Sequence, residues 1–318
     1  MTGNAVWLVG SGSMSVDYAK VLSALAVPFQ AIGRGPTSAA EFRAKTGVMV
    51  IEGGLAAFLG TKPPLPYAAI VAVGVEALAG AVKSLLEFGV KRVLVEKPGA
   101  LHRAEIIALA ELARSRDAQV LVGYNRRFYA ATLKARDIIA EDGGVKSMSF
   151  EFTEWSHVIV ELQKSPTEKA ALVLTNSTHV IDLAFHLGGT PVEMQAYVAG
   201  ALNWHPSAAI FAGAGRTDSG ALFSYQANWD APGRWGVEVL TNSHRLIFRP
   251  METLQVMRSR SVKIEPVAID DEIDRQFKPG LHQQVSRFLA GRVDGFCTLD
   301  EQASKWDLYC RIAGYEYQ

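Results

Sequence analysis

In RVLVEKPGAL, residues 92–101, an apolar run ends in an acid, a base and a proline: Glu96, Lys97 and Pro98. A strand that releases such groups at its carboxyl end offers them to whatever lies beyond the sheet. There a lysine polarises a substrate oxygen and stabilises charge developing on it, while Glu96 either joins it at the ligand or holds it in place. A second set lies in LVLTNSTHVIDLAFHLGG, residues 172–189. At about 100° per residue, Thr175, His179, Asp182 and His186 fall in one stripe of an otherwise apolar helix. A seam of buried polar groups either pairs internally or faces a wet cleft. The spacing predicts that Asp182 and His186, four residues apart, pair with each other or with nearby backbone, a structural role.

The start of the chain offers a third set. In WLVGSGSMSVDYAKVL a strand runs through Gly10, Ser11, Gly12, Ser13 and Met14 into a helix. Glycines at such a turn let backbone N–H groups approach a pyrophosphate on the helix N-terminus; the small Ser15 keeps helix and strand close. The second strand ends in Gly33 and Arg34, where an acid would hold the ribose hydroxyls of NAD. Arg34, beside Thr37 and Ser38, suits a 2′-phosphate, so NADP is the expected preference with NAD possible; a solvated loop arginine is the competing reading. Val73, Gly74 and Asn125 also fall at carboxyl ends of strands and complete, with Glu96 and Lys97, the expected cofactor bed.

The elements that position these groups follow from periodicity. From residue 5 to about 125, short apolar runs alternate with helical segments, the pattern of a doubly wound parallel sheet of Rossmann type. Beyond it, alternating strands such as KSMSFEFTEW, ALFSYQANWD and RWGVEVLTN predict an α+β domain with a large, mostly antiparallel sheet. The expected domains are 1–124, for the dinucleotide, and 125–318, for substrate and oligomerisation. The last helix opens with the capping-box spacing Thr298 and Glu301 and is a candidate to return to the first domain. Between strand and histidine helix, TEWSHVIVELQKSPTEK offers Trp155, His157 and Lys164 as substrate contacts with Asn176, His179 and Lys97; a plain solvated loop is equally compatible. His157, Asp182 and His186 have no compelling metal-ligand spacing, and no metal is expected.

Composition narrows the partners. The 318 residues balance 32 acidic against 32 basic side chains and are 49% hydrophobic. That balance lacks the footprint of a nucleic-acid or polyanionic-membrane binder and favours a small molecule. Neither a signal-like start nor a membrane-length apolar run is present, so the expectation is a cytoplasmic protein. Cys297 and Cys310 are too far apart for a CxxC motif and read as reduced thiols.

The glycine turn, VLVEKP and GYNRRF together resemble the glucose–fructose oxidoreductase and inositol dehydrogenase family, over nearly the whole length. The resemblance implies that Lys97 and His179 flank the substrate and that a nicotinamide cofactor lies along the glycine turn. Two positions depart from the family: Thr175 stands where an aspartate is usual four residues before the histidine, and Gly74, Val75 and Glu76 replace its proline and histidine after the fourth strand. Thr175 is expected to orient the imidazole, without a carboxylate's power to stabilise imidazolium. The implied activity is hydride transfer between nicotinamide and a hydroxyl or carbonyl of a sugar, cyclitol or nucleotide-linked sugar. The alternatives are a cofactor-binding sensor or regulator with weak turnover, and a reductase of a non-sugar substrate such as an imine or tetrapyrrole. Aromatics on both faces of the second sheet predict a homodimer or homotetramer.

Overall fold

The computed structural model describes residues 5–315, which divide into two compact units. The first opens with β1 (Val6–Val9), α1 (Ser13–Ala24), β2 (Phe29–Ile32), α2 (Pro36–Thr46), β3 (Val50–Ile51), α3 (Gly54–Gly60) and β4 (Ala68–Val71). It continues with α4 (Leu78–Phe88), β5 (Arg92–Glu96), α5 (Arg103–Ser115) and β6 (Gln119–Gly123). The strands pair in parallel in the order β3-β2-β1-β4-β5-β6. β1 and β4 are VWLV and AAIV, buried at every residue, because a central strand between two helix layers has no polar face. α4 supplies part of one layer through Leu78, Val82, Leu85 and Leu86, and stops at Gly89, whose φ of 108° ends the helix left-handed. The order reverses beside β1, where open parallel sheets place their ligand crevice.

The second unit begins with α6 (Ala130–Glu141) and β7 (Ser147–Glu151), followed by the short helices α7 (Ser156–Glu161) and α8 (Pro166–Ala170) and then α9 (Thr178–Gly188). Its remaining strands are β8 (Pro191–Ala199), β9 (Ile210–Thr217), β10 (Leu222–Asn228), β11 (Gly236–Leu240), β12 (His244–Phe248), β13 (Gln255–Arg258) and β14 (Ile264–Pro266). The eight strands run β14-β13-β12-β11-β7-β10-β9-β8, antiparallel except for the parallel pair β7 and β10. α9 packs on β7 and β11, and Phe185 stands edge-on to Phe150 at 5.4 Å and to Phe223 at 5.1 Å. The two-faced aromatic pattern expected for β10 does not occur. Phe223, Tyr225 and Ala227 point into the core while Leu222, Ser224 and Gln226 face outward, so period-two alternation puts the rings on one side.

The chain then returns to the first unit. After α10 (Glu272–Gln276) and α11 (Leu281–Leu289), β15 (Cys297–Thr298) pairs antiparallel with β6, Cys297 opposite Val122, and leads into α12 (Leu299–Ala313). Residues 273–304 group with the segment ending at Asn125. The return covers an edge of β6 that would otherwise be open. The Glu301 amide donates to Thr298 Oγ1 at 3.1 Å, as the capping spacing required. Both cysteines are free and buried, and no described helix is long and apolar enough to cross a membrane.

Candidate active site

In the first unit the glycine turn is fixed by steric necessity. Gly10 has φ of +124°, and a Cβ there would lie 2.2 Å from the Ala72 carbonyl oxygen. Ser15 is fully buried and donates to that same oxygen at 3.1 Å, which ties α1 to the end of β4. Gly12, the residue before α1, is different: a Cβ there would meet nothing within 4 Å. The backbone N–H groups that open α1, at Ser13 and Met14, thus start from an uncrowded edge with the character of an anion site. Ser11 Oγ lies 2.8 Å from Ser38 Oγ and links this turn to the start of α2. Gly33 has no room for a side chain, since a Cβ would sit 2.7 Å from Val50 Cγ1 and 2.8 Å from Ser11 Oγ. Arg34 and Thr37 are exposed, and Arg34 has no ion pair among the described residues. Val73 and the exposed Gly74 follow β4 directly.

At the end of β5, Glu96 and Lys97 are each half-buried, and the Lys97–Pro98 peptide is cis. Tyr18, on α1, donates its hydroxyl to Glu96 Oε1 at 2.7 Å. Burial raises the Glu96 pKa against the opposing pull of this hydrogen bond and of Lys97 and Lys278; burial, with the Glu96 carboxyl nearby, drives Tyr18 well above its ordinary value. Glu96 is therefore anchored by a tyrosine that the sequence reading did not single out. Asn125, an expected cofactor contact, spends its Nδ2 on the Pro279 carbonyl at 2.9 Å and so secures the returning segment.

In the second unit the histidine helix is not one regular α-helix. Val173–Ser177 form a π turn ahead of α9, and this wider turn breaks the 100° step on which the Thr175–His179–Asp182–His186 stripe was built. The Thr175 hydroxyl donates to the Glu168 carbonyl at 3.3 Å. Asp182 does not pair with His186: Arg127 grips it through Nε to Oδ2 at 2.7 Å and Nη2 to Oδ1 at 2.5 Å, and Lys305 Nζ approaches Oδ1 at 3.3 Å. A planar guanidinium matches both carboxylate oxygens, which a single imidazole nitrogen does not. Burial pushes the Asp182 carboxyl up, but Arg127 and Lys305 overcome it and hold it well below the usual carboxylate range. Burial, reinforced by Arg127, pushes His186 down to about 3, and its Nε2 has no hydrogen-bond partner.

The segment expected as a loop over 153–169 instead forms α7 and α8, and the Lys164 cation pairs with Glu168. Glu154, 2% exposed, accepts from Asn176 Nδ2 at 2.9 Å and Ser177 Oγ at 2.8 Å, and burial raises its pKa despite these donors. Trp155 and His157 are exposed, with ring centroids 6.3 Å apart, on a cleft of about 680 Å³ that also includes Glu154 and Asp230. Arg234 stacks over Trp155 at 4.5 Å and over Trp235 at 5.2 Å, and Arg126 lies over Trp235 at 4.8 Å. The His179 ring is 6.3 Å from that of Trp235.

Residues 5–124 match the model of an oxidoreductase family with an NAD-binding Rossmann fold. Over these residues the chain is similar to the cofactor-binding domain of that family. It is the glucose–fructose oxidoreductase and inositol dehydrogenase family that the sequence motifs resemble. Among solved structures, levoglucosan dehydrogenase in complex with NADH and L-sorbose is 18% identical with a TM-score of 0.81, covering 98% of this chain and 96% of its own. UDP-N-acetylglucosamine 3-dehydrogenase from Acidithiobacillus ferrooxidans is 16% identical with a TM-score of 0.76, covering 98% and 97%. An oxidoreductase from Agrobacterium radiobacter in complex with NAD+, L-tartaric acid and magnesium is 14% identical with a TM-score of 0.76, covering 97% and 94%. At these identities the likeness establishes the fold. By sequence, no curated protein matches. Gly12, the open edge of the turn, lies within the matched residues.

Proposed function

We propose that this protein is an NAD(P)-dependent oxidoreductase that moves hydride between nicotinamide and a hydroxyl or carbonyl carbon of a sugar, cyclitol or nucleotide-linked sugar, with NADP preferred. The observation that carries the reading is the glycine turn, closed to side chains at Gly10 and open at Gly12, in a domain similar to that of an NAD-binding oxidoreductase family. The bound cofactor supplies the two-electron chemistry. The backbone at Ser11–Met14 holds its pyrophosphate, and Arg34, Thr37 and Ser38 hold the 2′-phosphate. Lys97 stabilises negative charge developing on the substrate oxygen, and His179 accepts that oxygen's proton in oxidation and returns it in reduction. Thr175, whose hydroxyl is turned to the Glu168 carbonyl, contributes at most to the setting of the imidazole. Trp155, His157 and Asn176 are the substrate-side groups of the second unit. That same engagement of Thr175 favours one second reading, a cofactor-binding sensor with weak turnover. Lys97→Ala and His179→Ala variants decide between them: on a sugar substrate each should lose about two or more orders of magnitude in kcat with little change in cofactor affinity. Near-normal turnover in both removes the catalytic assignment.

The outward face of the second sheet, with Leu222, Ile210 and Tyr197 exposed on a surface of small and polar residues, is the face we assign to a second copy of the chain in a dimer or tetramer. Light scattering at micromolar concentration should return a multiple of the chain mass; a monomer rejects the assignment.

A further inference from the structure

Arg234 and Arg126 form a ladder with two indoles, in the order Trp155, Arg234, Trp235, Arg126. A guanidinium stacked this way spends its faces on the rings and keeps its N–H edges for an acceptor. No acceptor takes them. Neither side chain has a hydrogen bond or ion pair among the described residues, and Arg126 Nε is buried without a partner. Glu154 faces both guanidinium groups, and Glu252 also faces Arg126. Glu252 is exposed, and Glu154 is already bound by Asn176 and Ser177. Trp235, 7% exposed, is the indole shared by the two guanidinium groups and faces the Glu154 carboxyl. Burial lowers the Arg126 pKa against the opposing pull of Tyr129, Glu252 and Glu154. All of this lies beside His179, whose ring is 6.3 Å from Trp235.

We infer that Arg126, Arg234 and Trp235 form an anion subsite, and that the substrate carries a carboxylate or phosphate group besides its reacting carbon. The inference rests on the oxidoreductase reading above and narrows its substrate class to charged sugars. Both acidic groups present oxygens to a guanidinium edge in the same fork geometry, so the structure names their shared chemistry.

Calorimetric titration of the intact protein with glucuronate, glucose 1-phosphate and glucose separates the cases, with NADPH titrated in parallel by fluorescence. At least one charged probe should bind roughly tenfold or more tightly than glucose, the scale of one charge-assisted hydrogen bond. The preference should shrink as salt is added and disappear in Arg234→Gln and Arg126→Gln. Glucuronate alone identifies an acidic sugar, and glucose 1-phosphate alone a phosphorylated one. Equal binding of all three probes, no binding of either charged probe, or variants that keep the wild-type preference overturns the subsite. The salt response of the wild type decides the matter even if a variant fails to fold. A protein that prefers the charged probes yet binds no NADPH keeps the anion site and loses the oxidoreductase reading; one that binds NADPH without charge preference does the reverse.

Discussion

Arg126 and Arg127 are neighbours in GYNRRF and meet opposite fates. Arg127 is 2% exposed, holds Asp182 with two hydrogen bonds and shares it with Lys305. Arg126 lies over an indole with its Nε unanswered. The first guanidinium completes a buried cluster whose carboxylate would be stranded without it. The second keeps its donors for something the chain does not supply. Identical side chains one residue apart thus separate architecture from function by what their N–H groups meet.

The largest expected effect tests that contrast directly. Arg127→Ala should cost about 3–5 kcal/mol of stability, the usual scale for breaking a buried pair. Arg126→Ala should cost clearly less, since it breaks no hydrogen bond or ion pair among the described residues. Urea unfolding followed by tryptophan fluorescence measures both, and equal losses would erase the distinction.

The same buried cluster carries the next effect through pH. His186 is held neutral, with its pKa pushed down to about 3 from an ordinary 6.5. The unfolded chain therefore binds this proton first, so stability is full above pH 6.5 and falls as the pH drops toward 3, by on the order of a few kcal/mol. Asp182, depressed below 3.8, adds its own loss only once the pH falls under that ordinary carboxyl value. His186→Gln should flatten the slope between about pH 6.5 and 4 and leave the steeper part below it. Unfolding free energies measured across that range check the split; an unchanged upper slope would assign the acid sensitivity elsewhere.

Much of the frame was legible in the sequence because it rests on local rules. VWLV and AAIV read as strands of a parallel sheet from their unbroken apolar character, and Gly10 and Gly12 marked the turn between strand and helix. EKP could be placed at a strand end for the same reason. What escaped depended on long-range pairing. Nothing local in CT announces a strand that closes on β6 from far along the chain. A π turn leaves no trace in a count of polar positions, so Thr175 was stacked on His179 by a periodicity that the backbone does not keep. Arg127 and Asp182 meet across 55 positions, and a rule of i,i+4 neighbours gave the carboxylate to His186 or to nearby backbone instead. One signal was available: two adjacent arginines closing a buried strand must find either acids or a ligand.

Arg34 extends the comparison to the other unit as a further guanidinium with no ion pair among the described residues. The most direct test of the account is an equilibrium fluorescence titration of the protein with NADPH and with NADH, repeated on Arg34→Ala. One charge-assisted contact to the 2′-phosphate contributes about 1.5–3 kcal/mol, so NADPH should bind roughly ten- to hundredfold more tightly than NADH, and the variant should lose that margin while its NADH affinity holds. A protein that binds neither dinucleotide contradicts the central claim, and equal affinities that fall together in Arg34→Ala contradict the role given to the arginine.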